Sequence, residues 1–299
     1  MKTICTALLL FLLPTLAHAS EAGAILEAAG VQGGLVAHIG CGDGKLTAAL
    51  RANGRFLVHG LDADVAAARR HIQSLGLTGP VSVARWSGGA LPYADNLINL
   101  AVVATPVPME EVLRVLVPNG AALVRKGDGW SKTVKPRPDD ISDWSHYLYD
   151  ASNNAVAQDR RVGSPRRLQW VAGPMWCRSH EFVSSFAAMV SAGGRAFYVM
   201  DEGLPGVTDK RLPERWVLTA RDAFNGVELW RMPLPEWRDD GWKGSSLRGR
   251  PAGVPRRLVA DAERVYATFG HAEPLSILDA ATGKLLRTVG GTDRTEEIL

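Results

Sequence analysis

The chain has 299 residues, of which 46% are hydrophobic and 22% charged, and its formal net charge is +3. A chain this apolar and this weakly charged can bury enough surface to fold, which excludes intrinsic disorder for most of its length. Three cysteines are too few for a disulfide scaffold. The small, evenly spread charge argues against nucleic acid as the main partner. We therefore expect one large or two ordinary globular domains.

Residues 1–19 have the pattern of an export signal. Lys2 supplies a positive charge, residues 4–16 form an apolar run, and Ala17-His18-Ala19 forms an A-x-A cleavage site. The apolar run is shorter than the roughly 20 residues that a membrane-spanning helix needs. The alternative is a buried N-terminal helix. We expect signal removal before Ser20, export to the periplasm or secretion, and no transmembrane segment in the mature chain.

Tryptophan content divides the remaining chain near residue 130. Residues 20–129 contain one tryptophan, Trp86, whereas the rest of the chain contains eight. A polar, proline-containing stretch at 130–167 is typical of a connector, because proline discourages helix. After it come short apolar runs broken by Gly, Asp and Pro, which indicate an all-β domain over 168–299.

Helical and strand patterns alternate in the first part. The apolar spacing predicts helices over 21–31, 45–52, 63–75 and 109–116, and strands over 34–39, 56–61, 81–85, 98–104 and 121–125. Strands that alternate with helices imply βαβ units and a parallel sheet.

A glycine loop follows the first predicted strand. The sequence Gly40-Cys41-Gly42-Asp43-Gly44 lies between this strand and a helix, and Asp62 ends the second strand. Glycines let the backbone approach a ligand, and the start of a helix adds free N–H groups. A carboxylate at the end of the second strand suits the two hydroxyls of a ribose. These residues predict a nucleotide-type site.

Four blocks of this region resemble the class I S-adenosylmethionine-dependent methyltransferases: HIGCGDG, GLDAD, LPYADNLINLAVV and EEVLRVLVPNGAALV. They occur in the family's order across residues 35–125. The resemblance implies a Rossmann-like α/β fold and S-adenosylmethionine as the cofactor. The cofactor contacts that it implies are Gly40, Cys41, Gly42 and Asp62, with Trp86 and Ser87 on the adenine side.

The sequence departs from this family at several points. His38 stands where the family has an acid that recognises the methionine amine, and Ser87 stands near the family's adenine-side acid. The usual sixth and seventh strands give way to the connector, and no catalytic residue can be named. S-adenosylmethionine is cytosolic, whereas the chain carries an export signal. Three readings stay open: methyl transfer, binding of another nucleotide-like ligand, and a scaffold without catalysis.

A repeat occurs in the last third of the chain. ARDAFNGVELW at 220–230 matches ILDAATGKLLR at 277–287, so Asp222 and Gly226 align with Asp279 and Gly283. The D-A-x-x-G unit predicts a hairpin in which the Asp bonds the turn backbone and the Gly takes a positive φ. A repeat of this length is typical of propeller blades.

The first unit fits the A-x-D-x-x-x-G-x-x-x-W pattern of quinoprotein-type (PQQ-like) β-propellers from Ala220 to Trp230, whereas the second departs at Ile277 and Arg287. The resemblance implies that the tryptophan packs between blades; no residue supports a PQQ cofactor. Residues 168–299 hold about two blades, and propellers typically need four to eight. We expect an incomplete propeller, either a piece of a longer protein or completed by other chains. The alternative to an enzyme is a binding platform for a protein, a glycan or a small ligand.

A polar cluster around His146 matches no metal-ligand spacing, so we predict turn capping and no metal site. Its other members are Asp143, Asp150, Asn153, Asn154 and His180. Cys41 and Cys177 remain after signal removal, and a disulfide between them stays open. Packing is the expected role of the Cys41 thiol.

Overall fold

The computed structural model describes residues 18–164, 168–177, 185–205, 213–235 and 253–299. Most of the predicted signal, at 1–17, and His180 lie outside the described residues. The chain divides into two compact units, Met1–Arg137 and Pro138–Leu299, here called the first and second units. No helix among the described residues is long and apolar enough to cross a membrane.

The first unit contains a six-stranded mixed sheet. Its elements are α1 (18–29), β1 (Gly34–Ile39), α2 (Lys45–Ala49), β2 (Phe56–Asp62), α3 (Ala66–Ser74), β3 (Val81–Arg85), β4 (Ile98–Val103), α4 (Met109–Val115), β5 (Leu116–Lys126) and β6 (Gly129–Val134). The strand order is β3-β2-β1-β4-β5-β6, in which β1 to β5 are parallel and β6 is antiparallel. This order confirms the predicted Rossmann-like α/β fold, with a switch point between β1 and β4.

The sheet is buried on both faces at its centre. All six residues of β4 are buried, which explains why its sequence is a continuous apolar run. One core joins α1 and α3 to the sheet through residues such as Ile25, Val36 and Ile72. A second core joins α4 to the other face through residues such as Ile39 and Val112. Successive side chains of β1 point to opposite faces, so Val36 joins the first core and Ala37 joins the second.

The prediction that no strand follows the fifth, and that the connector begins at residue 130, is wrong for 130–134. Residues Gly129–Val134 form β6, which pairs antiparallel with β5 from Lys126 to Ala121. Most of its side chains are exposed, so its polar sequence concealed an edge strand. A turn that includes Gly127 joins the two strands, and its φ of +58° is one that glycine adopts readily.

The second unit contains two antiparallel sheets. The first comprises β7 (Phe186–Ala192), β8 (Arg195–Asp201), β9 (Trp216–Asp222) and β10 (Glu228–Pro233); the second comprises β11 (Leu258–Ala260), β12 (Arg264–Thr268), β13 (Leu275–Asp279) and β14 (Leu285–Thr288). A short 3-10 helix, Val254–Arg257, precedes β11. One core contains residues of both sheets, including Phe197, Leu218, Leu258 and Leu278. Within the described residues the sheets form no closed ring.

Both predicted D-A-x-x-G hairpins are present. Asp222 ends β9, and its Oδ1 accepts hydrogen bonds from the N–H groups of Phe224 and Asn225 at 2.9 and 3.0 Å. Asp279 ends β13, and its Oδ1 accepts one from the N–H of Thr282 at 2.8 Å. The repeat therefore has the local geometry that its sequence predicts.

A tryptophan covers the glycine of each hairpin. The Nε1–H of Trp230 donates to the carbonyl oxygen of Ala280 at 2.9 Å, and a Cβ on Gly283 would lie 2.6 Å from the Trp230 ring. Trp170 repeats this arrangement over the first hairpin, donating to the carbonyl oxygen of Ala223 at 3.0 Å and lying 2.4 Å from a Cβ on Gly226. Glycine is required at both turns for space as well as for φ.

Candidate functional site

The carboxyl ends of the parallel strands form one edge of the first unit. Ile39 of β1 pairs with Leu61 of β2 on one side and with Val103 of β4 on the other, and Val103 pairs with Val124 of β5. The residues that follow these four positions therefore stand at one level along the edge. Ligands of open α/β sheets bind outside the carboxyl ends of the strands at a switch point, which here lies beside Gly40.

The glycine loop after β1 has an open centre. Gly42 has a φ of +54°, and a Cβ placed on it would meet no atom within 4 Å. Gly40 differs, because a Cβ there would lie 3.1 Å from the backbone nitrogen of Thr105, in the loop after β4. The loop thus packs against its neighbour at Gly40 and faces open space at Gly42.

Asp62 is bound to this loop. Its Oδ2 accepts a hydrogen bond from the N–H of Gly42 at 2.8 Å, and its Oδ1 accepts one from the N–H of Ala63 at 2.7 Å. An ionised carboxylate has about four acceptor sites, so two remain for donors outside the loop. The carboxylate is thereby fixed in position and keeps the capacity to bind a pair of hydroxyls.

Trp86 and Ser87 follow β3 on the same edge. The N–H of Trp86 donates to the carbonyl oxygen of Asp62 at 2.8 Å, and its indole N–H donates to that of Ala90 at 3.2 Å. Ser87 is exposed, and a Cβ on either of the two glycines after it would meet nothing within 4 Å. The backbones of the six predicted site residues thus lie along one edge, on the ends of three adjacent strands.

The side chain of Cys41 points into the core. It is buried with Val65 and Ala68, and a Cβ on Gly60 would lie 3.1 Å from its sulfur. Burial, and then the Asp62 carboxylate, raise the pKa of the thiol to about 11, so it stays protonated. Cys41 can offer a ligand only its backbone. Cys41 and Cys177 are both free thiols in the structure.

His38 is buried without charge beneath the loop. Its Nδ1 lies 2.8 Å from the Oγ1 of Thr47, which is itself fully buried. Burial lowers the pKa of His38 to about 4, although the carboxylates of Glu21 and Asp62 act to raise it. At neutral pH this position supplies no charge of either sign to a ligand.

Arg114 of α4 anchors the loop between β3 and β4. Its guanidinium donates to the carbonyl oxygens of Leu91 and Tyr93 at 3.1 and 2.9 Å, and it pairs with Glu111 at 2.7 Å. Glu111 also accepts a hydrogen bond from the N–H of Leu91 at 2.6 Å, and its pKa falls to about 2, chiefly through its hydrogen bond with Arg114. Sequence reasoning missed this clamp, because its bonds join an ordinary i,i+3 helix pair to a distant loop backbone.

In the second unit, His146 lines a cavity of about 560 Å³. The other polar side chains lining it are Asp143, Ser145, Asp261 and Tyr266. The Nδ1 of His146 lies 2.8 Å from the Oγ of Ser145, and Asp150 accepts a hydrogen bond from the N–H of Ser152 in the turn that follows. Among the described residues, no group of three His, Cys, Asp or Glu side chains is placed to hold a metal ion.

No protein-family model and no curated protein matches this chain. Among solved structures, it is similar to a protein assigned as an S-adenosyl-L-methionine-dependent methyltransferase from Methanococcus maripaludis, at 22% identity over 36% of this chain and 54% of that one, with a TM-score of 0.34. It is also similar to the [4+2]-cyclase SpnF, at 23% identity over 37% and 47% of the two chains and a TM-score of 0.33. A third similar structure is geranyl diphosphate methyltransferase in complex with SAM, at 20% identity, 36% and 48% coverage and a TM-score of 0.31. The chain thus spans about half the length of these proteins, and the likeness concerns the fold alone.

Proposed function

We propose that the first unit binds S-adenosylmethionine at the carboxyl edge of β1, β2 and β3, as a methyltransferase-type domain. The observation that carries this proposal is the hydrogen bond from the Gly42 N–H to the Asp62 carboxylate, which joins the open glycine loop to the acid beside the switch point. The bound cofactor supplies a methyl group activated by a sulfonium. No described side chain is assigned as the base for its transfer.

The residues at this edge fit an adenosine group. Asp62 keeps acceptor capacity for the ribose hydroxyls, and Gly42 leaves the space in front of the loop empty. Trp86, which is partly buried, and Ser87, which is exposed, follow β3 on the side where we place the adenine. The chain's own residues would bind and orient the nucleoside.

The test is titration calorimetry of S-adenosylmethionine into the full chain and into Asp62→Ala. Losing hydrogen bonds to a charged acceptor costs about 1.5–3 kcal/mol, which weakens binding about tenfold to a hundredfold. Asp64→Ala is the matched control, since Asp64 is exposed and bonds only the start of α3. Equal affinity of the wild type and Asp62→Ala, or no binding by folded wild type, would refute the proposal.

For the second unit, we propose that the two sheets are blades of a quinoprotein-like propeller that is incomplete in this chain. The contact of Trp230 with Gly283 supports this, because Trp230 lies in the last strand of the first sheet and contacts the hairpin of the second. Trp170 makes the same contact with Gly226 in the hairpin of the first sheet. A PQQ cofactor has no support among these contacts. Removing the Trp230 ring, as described in the Discussion, tests the blade contact.

The alternative function is a binding platform, and the cavity beside His146 favours a small ligand over a protein or a glycan chain. Its volume lies within the usual range for ligand pockets, and its polar side chains are few. A thermal-shift screen of monosaccharides and small amines against wild type and Tyr266→Phe tests this alternative. We expect a stabilising compound whose effect shrinks in the variant, and a screen without any such compound would contradict it.

We also propose that the chain is exported after cleavage before Ser20. The support is the sequence of residues 1–19, since 1–17 lie outside the described residues. The intact mass of protein recovered from the periplasm or the medium tests this. A cytoplasmic product that retains Met1 would contradict it.

A further inference from the structure

An ion pair occupies the other end of the same edge. Nη1 of Arg125, near the end of β5, lies 2.9 Å from Oε1 of Glu21 in α1. The guanidinium also lies over the ring of Trp130, 5.0 Å from its centre. Because Val124 pairs with Val103, and Val103 is level with Ile39, Arg125 stands at the level of Gly40.

This pair and Asp62 flank the glycine loop from opposite sides. The strands that carry Asp62 and Arg125 are separated by three strand spacings in the order β2-β1-β4-β5, or about 14 Å. A ligand held at Asp62 by its ribose therefore reaches the pair only if it carries an arm beyond the ribose. The carboxylates of Glu21 and Asp62 both act to raise the pKa of His38, so both lie within electrostatic reach of it.

We infer that Glu21 and Arg125 form the subsite for the amino-acid arm of the ligand, with Glu21 accepting from its ammonium and Arg125 donating to its carboxylate. This inference rests on the proposed function. An α-amino acid group carries both charges, and the pair presents one partner for each. Because His38 is uncharged, β1 offers no acidic side chain to the ammonium of the ligand. Glu21 supplies that acid from α1 instead.

The pair is accessible and can open. The relative side-chain exposures of Arg125 and Glu21 are 41% and 35%. Exposed ion pairs contribute little to stability, so exchanging the internal partner for a ligand group costs little. The ring of Trp130 keeps the guanidinium in place when Glu21 turns to the ligand. In contrast, Asp43 in the glycine loop pairs with its own neighbour in sequence, Lys45, at 2.7 Å.

Two thioether probes that differ only in the arm test the subsite. S-adenosylhomocysteine carries the amino-acid arm, and 5′-methylthioadenosine lacks it. The affinities of the full chain for both are measured by calorimetry in the wild type, Glu21→Gln, Arg125→Gln and Arg125→Lys. Glu27→Gln and Lys126→Gln are matched controls, because both side chains are exposed on the same elements. Circular dichroism checks that each variant is folded.

We expect Glu21→Gln and Arg125→Gln each to weaken S-adenosylhomocysteine binding about tenfold or more, the loss of one charge-assisted contact. The affinity for 5′-methylthioadenosine should stay within about twofold, and Arg125→Lys should fall between. If Glu21→Gln and Arg125→Gln weaken both probes equally, or weaken neither, the proposed subsite is wrong. The proposed function still stands in that case if Asp62→Ala weakens the binding of both probes. If Asp62→Ala weakens neither probe, or neither binds, the proposed function fails and the subsite with it.

Discussion

In each of the two units, an aspartate carboxylate accepts a backbone hydrogen bond beside a glycine, but the surroundings of the two glycines differ. In the first unit, Asp62 bonds the N–H of Gly42, and the space above that glycine is empty. In the second unit, Asp279 accepts a hydrogen bond from the N–H of Thr282 within its own turn, and the ring of Trp230 fills the space above Gly283. Glycine is thus available to a ligand in one turn and reserved for packing in the other. What stands over the glycine distinguishes the loop at which we propose ligand binding from the structural hairpin.

The largest effect should come from removing the ring over Gly283. We expect Trp230→Ala to lower the free energy of unfolding by about 3–5 kcal/mol, since the ring is buried in the core that both sheets share. Trp170→Ala should cost less, because Trp170 is only partly buried. Urea unfolding of both variants checks this order. A Trp230→Ala protein as stable as the wild type would show that the ring does not hold the repeats together.

A smaller loss of stability is expected in the first unit when the pH is lowered. The pKa of His38 is about 4 in the folded chain, against 6.5 for an unperturbed histidine. Between these values the unfolded state binds a proton that the folded state does not. Uncharged His38 therefore makes its full contribution to stability above about pH 6.5. This contribution is lost as the pH falls from there through about 4. The loss amounts to about 3 kcal/mol at 1.36 kcal/mol per pKa unit.

The difference between wild type and His38→Gln isolates this contribution, because the acidic residues titrate in both. Urea unfolding at pH 7 and pH 4 gives the two free energies, and His71→Gln, at a half-buried position of α3, is the control. If His38→Gln shows the same loss between pH 7 and pH 4 as the wild type, the buried histidine is not its source.

Much of the first unit could be predicted from sequence, because its strands are buried and the residues of its glycine loop are consecutive in the chain. The predicted strands at 34–39 and 81–85 coincide with β1 and β3, and a run such as Ile98–Val103 is apolar throughout. The strand β6 could not be predicted, since an exposed edge strand lacks an apolar pattern. The hairpins of the second unit could be predicted because Asp and Gly act within five residues of each other.

Contacts between distant residues could not be predicted. The pairing of Arg125 with Glu21 joins side chains 104 positions apart, and Trp170 reaches a turn 53 positions away. Neither pattern leaves a local signature, because the partner is set by the strand order rather than by spacing. The burial of Cys41 was expected, whereas the effect of the Glu21 carboxylate on His38 was not.

One paired measurement tests whether Gly42 serves a ligand and Gly283 serves packing. S-adenosylmethionine affinity and the free energy of unfolding are determined for Gly42→Ala and Gly283→Ala. The positive φ alone costs about 1–2 kcal/mol in either variant, and the overlap with the Trp230 ring adds about 1–3 kcal/mol at Gly283. We predict that Gly42→Ala weakens binding about tenfold or more with the smaller stability loss, and that Gly283→Ala lowers stability without changing affinity. Unchanged affinity in Gly42→Ala, from protein shown to be folded, would contradict the account.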